Sequence, residues 1–395
     1  MESGFVMHTA NQSTSGASST MSLGSRNALA IVVVLAVVSM PAQAQTLNTL
    51  HTFTGPDGSA PAAGVVRDSA GNLYGTTFYG GAYGLGVVFK LDTSNKETVL
   101  YSFAGGSDGA NPYAGLILDS AGNFYGTTTA GGSPVCQCGT IFKLSSSGRE
   151  TVLYRFRGGT NGAMPWSDLI SDSAGNLYGT TTSGGHNNYG TVFKLSNAGE
   201  ESVLYRFRAG SDGAVPIGGL IRDSEGNLYG TTSCYEVFDC NGALFKIDTS
   251  NHLSVLWAVG DSQADLAFCY GESICGTEYQ CEGGNVWKYT LSGTFTVLYS
   301  STDYNDGCDF ASGVVQDDAG NLYGTASGTG VGDFGTLYEV FAGGGGNTLY
   351  SFFGYADGGY PQGNLVLDKQ GNLYGTTYSF GDSDCQCGTV YKFTP

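Results

Sequence analysis

The sequence predicts an all-β fold, a seven-bladed β-propeller spanning residues 45–395 and closed by its N-terminal strand completing the last blade. Three observations carry this expectation: a motif repeated seven times at near-constant spacing, four short strand-like runs in each period, and an offset strand phase at the two ends.

The string Gly-Asn-Leu-Tyr-Gly-Thr stands at 71–76, 175–180, 226–231, 320–325 and 371–376. A Phe variant occupies 122–127, and a disguised copy reads Ser273-Ile274-Cys275-Gly276-Thr277. The second glycine of each copy falls at Gly75, Gly126, Gly179, Gly230, Gly276, Gly324 and Gly375, with spacings of 51, 53, 51, 46, 48 and 51. Its recurrence suggests a place where neighbouring blades would crowd any side chain.

One period serves as a sample. Thr98 to Phe103 is β-branched and aromatic and reads as strand four of the preceding unit. Ala114 to Leu118 is strand one, Asp119 to Asn123 a tight turn, Phe124 to Thr128 strand two, and Gly139 to Leu144 strand three. Adjacent apolar pairs such as Leu73-Tyr74 and Val192-Phe193 fit strands covered on both faces, as in radially stacked blades. The chain after residue 44 opens on a strand-four pattern, Leu47 to Phe53, and ends on a strand-three pattern, Gly388 to Phe393. That permutation suits a ring; an open solenoid would instead need caps. Kelch repeats share the period, but three Trp are too few for one per blade, and the paired glycines follow the Tyr-Gly-Thr-Thr strand.

The motif series resembles the GloVer tandem-repeat family of secreted bacterial proteins. The matching segments are Asp108-Gly109-Ala110-Asn111-Pro112, Gly175 to Thr181, Gly184-Gly185 and Gly190 to Leu195, and the resemblance covers essentially all of 46–395. Members of that family often end in a surface anchor, which this sequence lacks. The resemblance implies the fold and no particular reaction.

Bulk properties narrow the function. The net charge is −18, from 16 Lys+Arg against 34 Asp+Glu, which disfavours nucleic acid and anionic membrane surfaces. Arg26, the apolar run Ala28 to Val38 and Ala42-Gln43-Ala44 form the n-region, h-region and cleavage site of a signal peptide over 1–44, with Met21 a candidate true start. A secreted or periplasmic monomer is therefore expected, free of the membrane after cleavage. All ten cysteines follow that point: Cys136, Cys138, Cys234, Cys240, Cys269, Cys275, Cys281, Cys308, Cys385 and Cys387. Disulfides are the default reading. Proximity suggests Cys234 with Cys240, Cys269 with Cys275 and Cys281 with Cys308. Each Cys-Gln-Cys triplet then holds either its own disulfide or a thiolate metal site, the disulfide being preferred.

A residue present in every unit serves the blade; one present in a single unit is free to serve a ligand. By that rule Tyr74, Tyr125, Tyr178, Tyr229, Tyr323 and Tyr374 are packing residues. Asp68, Asp119, Asp172, Asp223, Asp317 and Asp368 are turn formers. The first-loop set Asp57, Asp108, Asn161, Asp212, Asp306 and Asp357 could ring a cation, Ca²⁺ being the suitable one, but local Asx turns explain it more simply. No cofactor or dedicated metal site is expected.

Strand order puts the long, variable loops on one face, the favoured place for a site. Acids gather there in units four to six: Glu236, Asp239, Glu278, Asp306 and Asp309, with His186 the one histidine on that face. Tyr189, Tyr235, Tyr279, Tyr304 and Phe310, with Trp166 and Tyr360 across the ring, are candidate ligand platforms. No nucleophile elbow, zincin motif or phosphate loop is present. Two readings stay open: a propeller that binds or scaffolds a glycan, peptide or protein, and a carbohydrate-active hydrolase or lyase using those acids.

Overall fold

The computed structural model describes residues 45–233, 242–259, 262, 265–278, 284–301, 309–310, 312–328 and 330–395. Among these, seven antiparallel four-stranded sheets hold all the strands, and the one helical turn is a 3-10 turn at Gly159–Asn161. In the first blade β2 (Val66–Arg67), β3 (Leu73–Thr77), β4 (Val87–Leu91) and β5 (Glu97–Ser102) lie side by side in chain order. The last blade instead runs β26 (Val366–Leu367), β27 (Leu373–Thr377), β28 (Thr389–Thr394) and then β1 (Thr46–Thr52). Thr46 pairs with Thr394 and Thr52 with Thr389, so the expected N-terminal closure is observed.

The repeat motif builds the centre of each sheet. Gly75 lies opposite Phe89, and a Cβ on it would stand 2.7 Å from the Phe89 Cζ. The same holds for Gly126 under Phe142, Gly179 under Phe193 and Gly276 under Trp287. The crowding that demands glycine therefore comes from the aromatic ring opposite in the same blade, not from the neighbouring blade as the sequence suggested.

Strands two and three are buried along almost their whole length, because the core is divided among the spaces between blades. Val65, Leu73, Val87 and Phe89 of the first blade pack with Phe53, Tyr374 and Val390 of the last, and the same junction recurs around the ring. Burying such side chains on both sheet faces is the main stabilising term, about 1.5–3 kcal/mol for each large apolar residue.

The recurring polar residues fasten this frame. Asp68 accepts hydrogen bonds from Ala70 N, Asn72 N, Asn72 Nδ2 and Tyr74 Oη at 2.7–3.0 Å. Asp119, Asp172, Asp223 and Asp368 repeat the arrangement, as the turn-forming role requires. The strand-three lysine stands over the same tyrosine, as Lys143 does over Tyr125 at 5.3 Å. The described first-loop acids are held locally, but by donors that precede them and not in the expected Asx turns: Asp108 accepts from Ala104 N and Tyr101 Oη, and Asp357 from Phe353 N and Tyr350 Oη.

The fifth blade departs from the pattern and compensates. Cys275 replaces the repeat tyrosine and is disulfide-bonded to Cys269, and Tyr270 from the turn supplies the ring beneath Lys288 at 4.9 Å. Cys136–Cys138 and Cys385–Cys387 are also disulfides. Cys234, Cys240, Cys281, Cys308 and residues 1–44, where a signal peptide is expected, lie outside the described residues.

Candidate functional site

The residue just before each leucine or valine that leads into strand one sits on the ring around the propeller axis. Round the seven blades these residues are Gly64, Gly115, Asp168, Gly219, Asp265, Gly313 and Asn364. Glycine is the rule because each blade's neighbour presses in. A Cβ on Gly64 would meet the Asn364 backbone, one on Gly313 the Asp265 carbonyl, and one on Gly219 the Asp265 carboxylate at 2.7 Å.

The three exceptions are polar, and each reaches back to the preceding blade. Asp168 Oδ1 accepts the Gly115 N–H at 2.6 Å, Asp265 Oδ1 accepts that of Gly219, and Asn364 Oδ1 accepts that of Gly313 at 2.8 Å. Asn364 Nδ2 also donates to Asp265 Oδ2, linking the fifth and seventh blades. Asp168 and Asp265 are half-buried at the wall of the channel. Loss of hydration pushes the Asp168 carboxyl up, and the nearby Asp265 carboxyl adds to the rise. Burial raises Asp265 as well, opposed by the hydrogen bonds from Gly219 and Asn364.

These residues line a cavity of about 240 Å³ on the axis. Its rim is formed by residues that follow the loop prolines: Ala62, Tyr113, Trp166, Ile217 and Gln362. Trp166 and Tyr113 stack at 4.8 Å with their planes 27° apart, and Tyr113 Oη reaches Gln362 Oε1 at 3.4 Å. The indole N–H of Trp166 is buried and has no hydrogen-bond partner among the described residues. The cavity thus offers an aromatic wall, carboxyl acceptors and amides.

Of the residues singled out from sequence, Trp166 lines this cavity and the other described ones do not. His186 is exposed on its loop, and Tyr189 is half-buried against the third blade junction. Tyr360 joins Phe334 and Phe380 in an aromatic cluster at 5.7–6.0 Å. Glu278 is held by Asn285 Nδ2 at 2.6 Å, and burial raises the Asp309 carboxyl. Phe310 is a correction: it is wholly buried and packs edge-on against Tyr338 at 4.9 Å, so it serves the core and cannot reach a ligand. Tyr235, Glu236, Asp239, Tyr279, Tyr304 and Asp306 lie outside the described residues. Asp168, Asp265 and Asn364 were not picked out from sequence, although the comparison between repeats contains them: three polar residues where the other units have glycine.

Fold and axial ring together define the molecule as a seven-bladed β-propeller with a polar axial cavity. The model of the Gloeobacter/Verrucomicrobia repeat matches residues 19–245, 137–277 and 262–395, and the chain belongs to that family. Among solved structures it is similar to the extracellular domain of a protein from B. thetaiotaomicron described as a one-component system. That likeness has 12% identity and a TM-score of 0.60, and covers 87% of this chain and 39% of the other. The chain thus spans about two fifths of that protein's length. It is also similar to a Bacteroides uniformis protein described as a 6-phosphogluconolactonase. Here identity is 16% and the TM-score 0.53, with 81% of this chain and 99% of that one covered. Both likenesses concern the fold. No curated protein matches the chain.

Proposed function

We propose that this protein is an extracellular binding propeller whose axial cavity takes a neutral polyhydroxylated ligand, such as the terminal ring of a glycan. The observation that carries the reading is the convergence of the stacked Trp166 and Tyr113 rings on the cavity that Asp168, Asp265 and Asn364 line. Aromatic faces stack on the apolar faces of sugar rings, while carboxylates and amides take hydroxyl hydrogen bonds. A volume of about 240 Å³ falls below the roughly 300–1,000 Å³ of drug-sized sites, which suits one ring better than a chain. The charge of −18 repels anionic ligands. Three disulfides among the described residues and the signal-like start support an oxidising, extracellular setting. Calorimetric titration with a panel of neutral mono- and oligosaccharides tests the idea. Binding weakened about tenfold or more by Trp166→Ala and by Asp265→Asn is expected; a panel without binders, or binding indifferent to both changes, would sink it.

A hydrolytic reading has one observation in its favour. Asp168 holds its proton beyond the ordinary carboxyl range next to a second carboxyl, as general acid catalysis on glycosides requires. It predicts new reducing ends that disappear in Asp168→Asn while binding persists.

A further inference from the structure

The two Cys-Gln-Cys loops carry a second and independent chemistry. They occupy equivalent places, between strands two and three of the second and seventh blades, and each is closed by its own disulfide. In both, the first cysteine is exposed and the second buried: Cys136 and Cys385 face solvent, while Cys138 and Cys387 are 6% and 3% exposed. In both, the intervening glutamine adopts a left-handed backbone, φ 50° at Gln137 and 54° at Gln386, a region costly for a residue with a side chain.

These bridges do little for the fold. A disulfide stabilises by restricting the unfolded chain, an effect that grows with the residues enclosed, and here one residue is enclosed. The first blade makes the equivalent bridge without sulfur, on a loop two residues shorter: Gly80–Leu85 is the counterpart of Phe380–Cys387 in the last. Cys269–Cys275 is the contrast, with both sulfurs buried at 2% and 0% exposure and the bridge spanning a hairpin turn.

We infer that Cys136–Cys138 and Cys385–Cys387 are exchange-active disulfides that trade electrons with dithiols and disulfides of exposed peptide chains. A substrate thiolate attacks the Sγ of Cys136, the more exposed cysteine of the pair. The Cys136–Cys138 bond breaks, a mixed disulfide forms on Cys136, and the Cys138 sulfur leaves and takes a proton. The substrate's second thiolate attacks its own sulfur in the mixed disulfide, departs as the substrate disulfide, and releases Cys136 as a thiolate. Two electrons pass to the protein, and the reverse sequence against a more oxidising peptide disulfide returns them.

The test uses the full chain in graded dithiothreitol, with free thiols trapped by alkylation and each pair read by peptide mass. Both Cys-Gln-Cys pairs should open at least about tenfold faster than Cys269–Cys275, with an unchanged circular dichroism spectrum. The reduced Cys138→Ser and Cys387→Ser proteins, incubated with oxidised glutathione, should each hold the adduct on the remaining exposed cysteine. Reduction only alongside Cys269–Cys275 or with loss of the spectrum, or variants that take up no glutathione, would overturn the proposal.

Discussion

Two sets of aspartates in this molecule differ in everything but their side chain. The turn aspartates stand at the same place in six repeats, each gripped by its own hairpin; the axial ones occur in two repeats, where four other units have glycine and one has Asn364. At the turns, partial burial works to raise the carboxyl, but bonds from Asn72, Tyr74 and Ala70 outweigh it, and Asp68 ends below its ordinary range. Asp119, Asp172, Asp223 and Asp368 behave alike. On the axis each carboxyl has fewer donors and a like-charged neighbour, and both move upward. The repeated turn acid is thus satisfied by its own hairpin. An acid peculiar to one blade stays electrically strained and open to outside partners.

The comparison can be broken from the structural side first. Gly179→Ala would place a Cβ 2.8 Å from Phe193 Cζ and should cost about 2 kcal/mol by overpacking, seen as a lower melting temperature. Asp172→Ala removes the bonds to Ala174, Asn176 and Tyr178. Because the turn is largely solvated, a loss of about 1 kcal/mol is expected in the same measurement. If the axial change Asp265→Asn destabilised as much as either, the distinction between frame and site would fail. Asp168→Asn should leave stability at neutral pH unchanged or slightly raised, since an amide makes the Gly115 contact without charge.

A pH series sharpens the contrast. Glu97 and Glu150 are pushed up to about 7, chiefly by burial, and each has a buried carboxyl oxygen with no hydrogen-bond partner among the described residues. Their folded form favours the proton, so their stabilising contribution is complete below the unfolded value near 4.5 and is lost as pH rises through about 7. The melting temperature should therefore fall between pH 5 and 8, and Glu97→Gln with Glu150→Gln should flatten that slope. The smallest effect is expected from Lys143→Met, which removes one exposed cation–π contact and should cost about 0.5 kcal/mol in a thermal melt.

Blade count, strand order and ring closure were legible in the sequence because each rests on a pattern repeated seven times. The turn acids and tyrosines were legible for the same reason. The axial trio was harder to see. Asp168, Asp265 and Asn364 are far apart in sequence and lie at the foot of strand one, whereas attention to variable loops points to the rim. Their meeting depends on the curvature that brings alternate blades to a common axis, which no local pattern encodes. The marker glycine was placed correctly and explained wrongly, since cross-strand register, not blade stacking, puts Phe89 over Gly75. Phe310 looked like a platform because its loop is irregular, yet its ring fills the position that Phe53 and Phe156 hold elsewhere in the ring.

The seam between β1 and β28 also sets a timetable. Thr46 and its neighbours are synthesised long before their pairing partners at 389–394. Until then the outer position of the final blade stays vacant and β1 is a bare strand edge, exposed to pairing with other chains. Contacts across so long a separation form slowly. Once made, they knit β1 and β28 into one sheet, so opening the ring there must begin by unzipping that sheet, and the ring has a slow exit as well as a slow entry.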